Sequence, residues 1–204
     1  MNEAARGDLR RVLLARGLRA FGDGFAAILL PVHLSLLGFA PLAVGAITTA
    51  ALLGSSLLAL GLGLLGHRLR RRATLVAASL LMAATGLGFA ALDGFWPLLV
   101  VAFVGTLSPT GGDTGVFLPI EHTVLAGAVA DQDRTAGFAR YSLVGSLVGA
   151  VGALAAGAVD WLAPWFSPRT VIEALFLLYA ALGLAAGLLY RGLSPAAERA
   201  ADQA

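Results

Sequence analysis

Ionisable residues set inside long apolar runs are the side chains of this sequence that could do chemistry. Asp23 stands in one run, four residues after Arg19 and between Gly22 and Gly24; His33 follows Pro31 in the same run, and Asp113, Glu121 and His122 lie in another. Even mild insertion scales charge about 2.5 to 3.5 kcal/mol for an Asp at mid-membrane, so each needs a compensating partner or a polar cavity. The chemistry open to such groups is proton uptake and release, or recognition of a polar solute. Asp113 leads as the substrate-binding or proton-coupling group, the alternative being a buried carboxylate held by Thr or Gly backbone. Asp23 is either the i, i+4 partner of Arg19 or part of a polar cavity, and its flanking glycines favour the cavity. Glu121 and His122 come two turns later and are expected to snorkel or face a loop. His33 reads as hydrogen-bonded structure or as a proton coupler.

These groups are scattered over different segments without diagnostic ligand spacing, and the chain has no cysteine, so neither a metal nor a cofactor is expected. No Ser/His/Asp set, zinc-protease motif or paired-Asp motif occurs at useful spacing, and an enzyme is not expected.

The sequence around Asp113 is unusual for a lipid-facing helix. It runs Gly105, Thr106, Leu107, Ser108, Pro109, Thr110, Gly111, Gly112, Asp113, Thr114, Gly115. Pro109 removes a backbone donor and Gly111 with Gly112 weakens the helix, which frees carbonyls near mid-membrane. Broken helices of this kind are tolerated where they line protein or a cavity, as in transporters.

The elements that must position these residues follow from composition. The 204 residues are 58% hydrophobic and 13% charged, too apolar for a water-soluble core. The mean hydropathy is +0.85 and the pI about 9.7, yet the basic residues flank apolar runs and form no nucleic-acid face. A hydrocarbon core of about 30 Å needs about 20 helical residues. Apolar runs at 18–38, 42–65, 73–92, 96–126, 137–159 and 170–190 predict an all-α integral membrane protein of six transmembrane helices. The run from 18 to 190 forms the membrane domain, between a basic amino terminus at 1–17 and a polar tail at 191–204. Of the fourteen basic residues, all arginine, only Arg169 falls on the face opposite the termini, so both termini are expected in the cytoplasm. Trp96, Trp161 and Trp165 mark the other interface. On the fifth run Gly145, Gly149, Ala153 and Gly157 recur every four residues, a stripe for close helix packing or for sliding.

At the second loop the chain reads Gly63, Leu64, Leu65, Gly66, His67, Arg68, Leu69, Arg70, Arg71, Arg72. This resembles the signature between helices two and three of the major facilitator superfamily, G-x-L-a-D-R-x-G-R-[RK]. Gly63, Leu65, Arg68, Arg71 and Arg72 match; His67 stands where the family has Asp, and Arg70 where it has Gly. The turn from Leu37 to Gly45 is also similar to the family's first outer loop. The fifth run lacks the Gly-Pro step of the antiporter signature.

The resemblance implies the amino-terminal half of a twelve-span fold, itself a 3+3 inverted repeat. It further implies a transporter half that moves a small solute by alternating access in a bacterial inner membrane. One six-helix copy has one wall of a cavity, so a homodimer, a second half on another chain, or a truncated product are the alternatives. A non-transporting membrane scaffold is the competing class.

Overall fold

In the computed structural model the described residues are 3–65, 69–107, 117–129 and 134–194, and they form eight helices. These are α1 (Glu3–Leu36), α2 (Pro41–Leu65), α3 (Arg71–Ala91), α4 (Phe95–Val104), α5 (Phe117–Ala128), α6 (Arg134–Ala155), α7 (Ala158–Leu162) and α8 (Pro168–Arg191). Lipid satisfies no backbone donor, so spanning segments must close their hydrogen bonds internally, and helices do so. Among the described residues four stretches are long and apolar enough to cross a membrane: Pro41–Leu64, Arg71–Ala91, Arg134–Leu162 and Pro168–Arg191.

Two of the six expected spans depart from this count. α1 has 34 residues, about 50 Å at 1.5 Å each, and begins at Glu3 instead of near residue 18. Its length exceeds the hydrocarbon core, and Arg19, Asp23 and His33 interrupt its apolar sequence. The run expected as one span over 96–126 is divided. α4 ends at Val104 after ten residues, about half a bilayer, and Gly105 to Leu107 are not helical. Pro109, Gly111, Gly112 and Asp113 lie outside the described residues, as do His67 and Arg68 of the loop signature.

Local chemistry explains the ends. Past α1, Gly38 takes φ +83, the left-handed conformation that costs glycine nothing. Its N–H donates to the Ser35 carbonyl and that of Phe39 to the Leu34 carbonyl at 3.2 Å, the paired bonds of a Schellman stop. Pro41 then opens α2, where a missing N–H costs nothing. At α8 the Ser167 hydroxyl accepts from the Thr170 N–H at 3.2 Å and Pro168 occupies the first turn.

The two ends of the bundle differ in chemistry. Phe39 meets Phe95, and Arg169 at the start of α8 grips the Asp93 carboxylate at 2.7 and 2.8 Å, so the start of α4 and the start of α8 share one end. At the other end Asp8 accepts from the Ser194 N–H at 2.9 Å and from its hydroxyl, tying the residues after α8 to the first turns of α1. The apolar interior is two clusters. One holds Phe25, Leu30, Phe89 and Phe176; the other, toward the Asp8 end, holds Val12, Leu75, Val124 and Ala186.

Backbones approach closely where side chains are smallest. A Cβ on Gly24 of α1 would lie 2.2 Å from the Gly149 carbonyl of α6, and one on Gly152 2.1 Å from the Phe21 carbonyl. Between α2 and α4, a Cβ on Gly54 would fall 1.7 Å from the Phe103 carbonyl. Only hydrogen fits at such crossings, which is how helices pack without a hydrophobic driving force between them. Of the expected stripe on the fifth run, Gly145 and Gly149 face α1, whereas Gly157 lies past the end of α6 in the turn to α7.

Candidate functional site

The junction of the two apolar clusters is filled by a buried polar layer. On α1, Arg16, Arg19 and Asp23 follow one another at helical spacing between Ala15 of one cluster and Phe25 of the other. Arg19 is 3% exposed and pairs with Glu121 of α5, which is fully buried at 0%. A buried ion must have its whole hydrogen-bonding capacity met, and Glu121 is met from three sides. One carboxylate oxygen accepts from Arg19 and from the Tyr141 hydroxyl of α6 at 2.5 Å, and the other accepts from the Tyr190 hydroxyl of α8. Arg19 also donates from Nε to the Tyr190 oxygen at 3.1 Å, closing a ring of Arg, Tyr and Glu.

Aromatic faces complete the enclosure. The Arg19 guanidinium lies 3.8 Å from the centre of the Phe117 ring, and Phe117 stacks on Tyr190. Arg16 sits 5.1 Å over the Tyr141 ring, with room made by Gly145, where a Cβ would meet its guanidinium at 2.2 Å. Cation–π attraction of this kind strengthens once the cation is out of water. Four helices, α1, α5, α6 and α8, are thereby joined through two charges.

Asp23 occupies a second station of the layer, accepting from the Tyr179 hydroxyl of α8 at 3.1 Å. All three tyrosines of the chain thus serve the layer. His33 lies deeper in the other cluster, 1% exposed and edge-on to Phe176 at 5.3 Å; neither ring nitrogen has a hydrogen-bond partner among the described residues. His122 leans on Tyr141 and Phe138 at the flank of the network.

Glu121 departs most from expectation. The sequence predicts an aqueous edge for it, but its carboxylate is the hub of the buried network. Arg16 and Arg19, read in the sequence as topology-setting flanks, are buried at 8% and 3% exposure because α1 carries them into the bundle. The tyrosines were not singled out in the sequence. A signal was available for Tyr179, which stands mid-span where a hydroxyl asks for a buried acceptor, whereas Tyr141 and Tyr190 fall near span ends, where Tyr is ordinary. Of the loop signature, Gly63 is exposed on α2, and Arg71 and Arg72 open α3. Among the described residues no group of three His, Cys, Asp or Glu side chains could hold a metal ion.

The family model described as Major Facilitator Superfamily matches residues 12–204, nearly the whole chain. The chain belongs to the major facilitator superfamily. An uncharacterized membrane protein of the yeast Saccharomyces cerevisiae is 33% identical over 132 residues, which is 63% of this chain and 30% of the yeast protein. The chain therefore spans less than a third of that relative's length in the match. Family and apolar helices agree on a multi-pass membrane protein. Within this facilitator chain the buried layer is the feature that sets charge where an apolar interior would otherwise be continuous.

Proposed function

We propose that the chain is one six-helix half of a facilitator that moves a small solute by alternating access, working with a second half supplied by another copy or another chain. The observation that carries this reading is the Arg19, Glu121, Tyr141 and Tyr190 network, which holds four helices together through exchangeable polar bonds. A bundle built only to be rigid gains more from apolar packing than from a buried ion pair, which at best recovers its own desolvation cost. Polar groups that can trade partners allow two arrangements of similar energy.

Two surface features support the need for a second half. α2 and α6 present rows of exposed apolar residues, Leu53, Leu57 and Leu60 on one and Leu143, Leu147 and Val151 on the other. Between α1 and α6 an open groove of about 700 Å3, walled by Leu14, Gly17 and Val144 with Arg6 and Arg10 at its mouth, forms one side of a cavity. The proposed site is lined by the first and fourth of the six expected spans, with Asp113 or Asp23 as proton-coupling groups and the cell's inner membrane as location, both termini inside.

The test is the assembly itself. Purified in mild detergent, the chain is expected to run as a dimer or with a second six-helix chain, and Leu147→Cys in this cysteine-free sequence should cross-link between partners. A strict monomer with no such cross-link in native membranes would favour a scaffold and remove the transport reading.

A further inference from the structure

At the arginine-rich end, the start of α3 and the finish of α8 lie side by side over an open trough of about 530 Å3. Its rim carries Arg70, Arg72 and Arg191, and its floor is made by Val76, Ala77 and Leu80. All three arginines are exposed, and none has an ion pair among the described residues. Three like charges brought to one rim by two helices make a positive patch that favours an anion there. Arginine presents a planar fork of donors suited to bidentate phosphate binding.

The floor decides what kind of anion. From Arg70 to Leu80 the α3 helix descends about 15 Å, and Leu80 is 56% exposed. A free phosphate needs no such apolar descent. A molecule with a phosphate at one end and a hydrocarbon chain at the other fits both parts. Basic pockets between spanning helices at the membrane surface bind anionic head groups for this reason.

We propose that this trough holds an anionic phospholipid, its phosphate held by Arg70, Arg72 and Arg191 and one acyl chain laid on Val76, Ala77 and Leu80. The lipid ties the first turn of α3 to the last turn of α8 at the surface, above the buried layer that Tyr190 enters from the same helix. Every lining residue of the trough belongs to this chain.

The experiment titrates the full chain in neutral detergent with phosphatidylglycerol, with matched titrations of phosphatidylcholine and inorganic phosphate, and counts bound lipid by native mass spectrometry. Phosphatidylglycerol is expected to bind at a saturable site that phosphatidylcholine does not fill. Each of Arg70→Gln, Arg72→Gln and Arg191→Gln should weaken it about fivefold, the worth of one arginine at an anionic surface. Arg140→Gln, an exposed arginine on α6 outside the trough, should leave it unchanged. Ala77→Trp fills the floor without altering charge and should also displace the lipid, which keeps the test independent of any unfolding caused by losing arginines. Equal binding of the two lipids, equal loss in Arg140→Gln, or full competition by inorganic phosphate with Ala77→Trp silent would each overturn the proposal.

Discussion

Glu121→Leu is expected to cost about 3 to 5 kcal/mol of stability, the usual penalty for leaving one partner of a buried ion pair behind. Arg19 would then be buried at 3% exposure with its carboxylate gone, and the Tyr141 and Tyr190 hydroxyls would lose their acceptor at the same time. Each orphaned hydroxyl adds about 1 to 3 kcal/mol of desolvation, partly overlapping the loss of the ion pair. Arg19→Met alone strands the opposite charge and should be similarly damaging. The double replacement Arg19→Met with Glu121→Leu removes both charges, and it should lie nearer the parent than either single variant. Thermal unfolding in one detergent, followed for the four proteins of the cycle, checks this. If Glu121→Leu melted with the parent, the network would be decoration and the layer would not hold α1, α5, α6 and α8 together.

Gly54→Ala comes second in size. The new Cβ would fall 1.7 Å from the Phe103 carbonyl, a distance no real carbon occupies, so α2 and α4 must separate. Overpacking of this kind costs about 1 to 3 kcal/mol. Helix propensity pulls the other way by about 1 kcal/mol in favour of alanine, so a net loss means the clash has won. Gly61 of the same helix supplies the control, because a Cβ there meets nothing within 4 Å. Gly61→Ala should therefore be neutral or slightly stabilising by thermal melting, while Gly54→Ala falls. Equal behaviour of the two would mean that α2 and α4 do not pack at this crossing.

How much of this was legible in the sequence depends on which force set each feature. Helical class, the α2, α3, α6 and α8 spans and the opposed ends follow from apolar length and from where arginine and tryptophan stand, and these are local properties of the chain. The helix stops at Val104 with Gly105 to Leu107 not helical, whereas Pro109, Gly111 and Gly112, where the sequence predicts the break, lie outside the described residues. The polar layer was half legible. Asp23 was marked as a charge out of place, and its partner Tyr179 lies 156 residues away, a pairing no local pattern contains.

Glu121 shows the limit more sharply. Counting residues toward the loop set it at an aqueous edge, but exposure is decided by neighbours. Arg19, Tyr141 and Tyr190 come from three other helices and close over it. The sequence marks Arg16 and Arg19 as flanks that fix orientation, and Arg19 also as a local partner for Asp23. Their burial follows from α1 beginning at Glu3, which turns the expected basic tail into about four extra helical turns. The groove between α1 and α6, like the trough beside α3, depends on helix packing and had no sequence signature.

Alternation of access is the central claim, and the absence of native cysteine allows it to be read directly. Single reporters at Leu14→Cys, in the groove at the arginine-rich end, and at Ser35→Cys, near the opposite end of α1, can be labelled with a membrane-impermeant maleimide in oriented proteoliposomes. The account predicts reciprocal labelling: a change of pH that opens one reporter closes the other, and Asp113→Asn abolishes that pH response. Constant labelling at both positions, or changes that do not oppose each other, would contradict it.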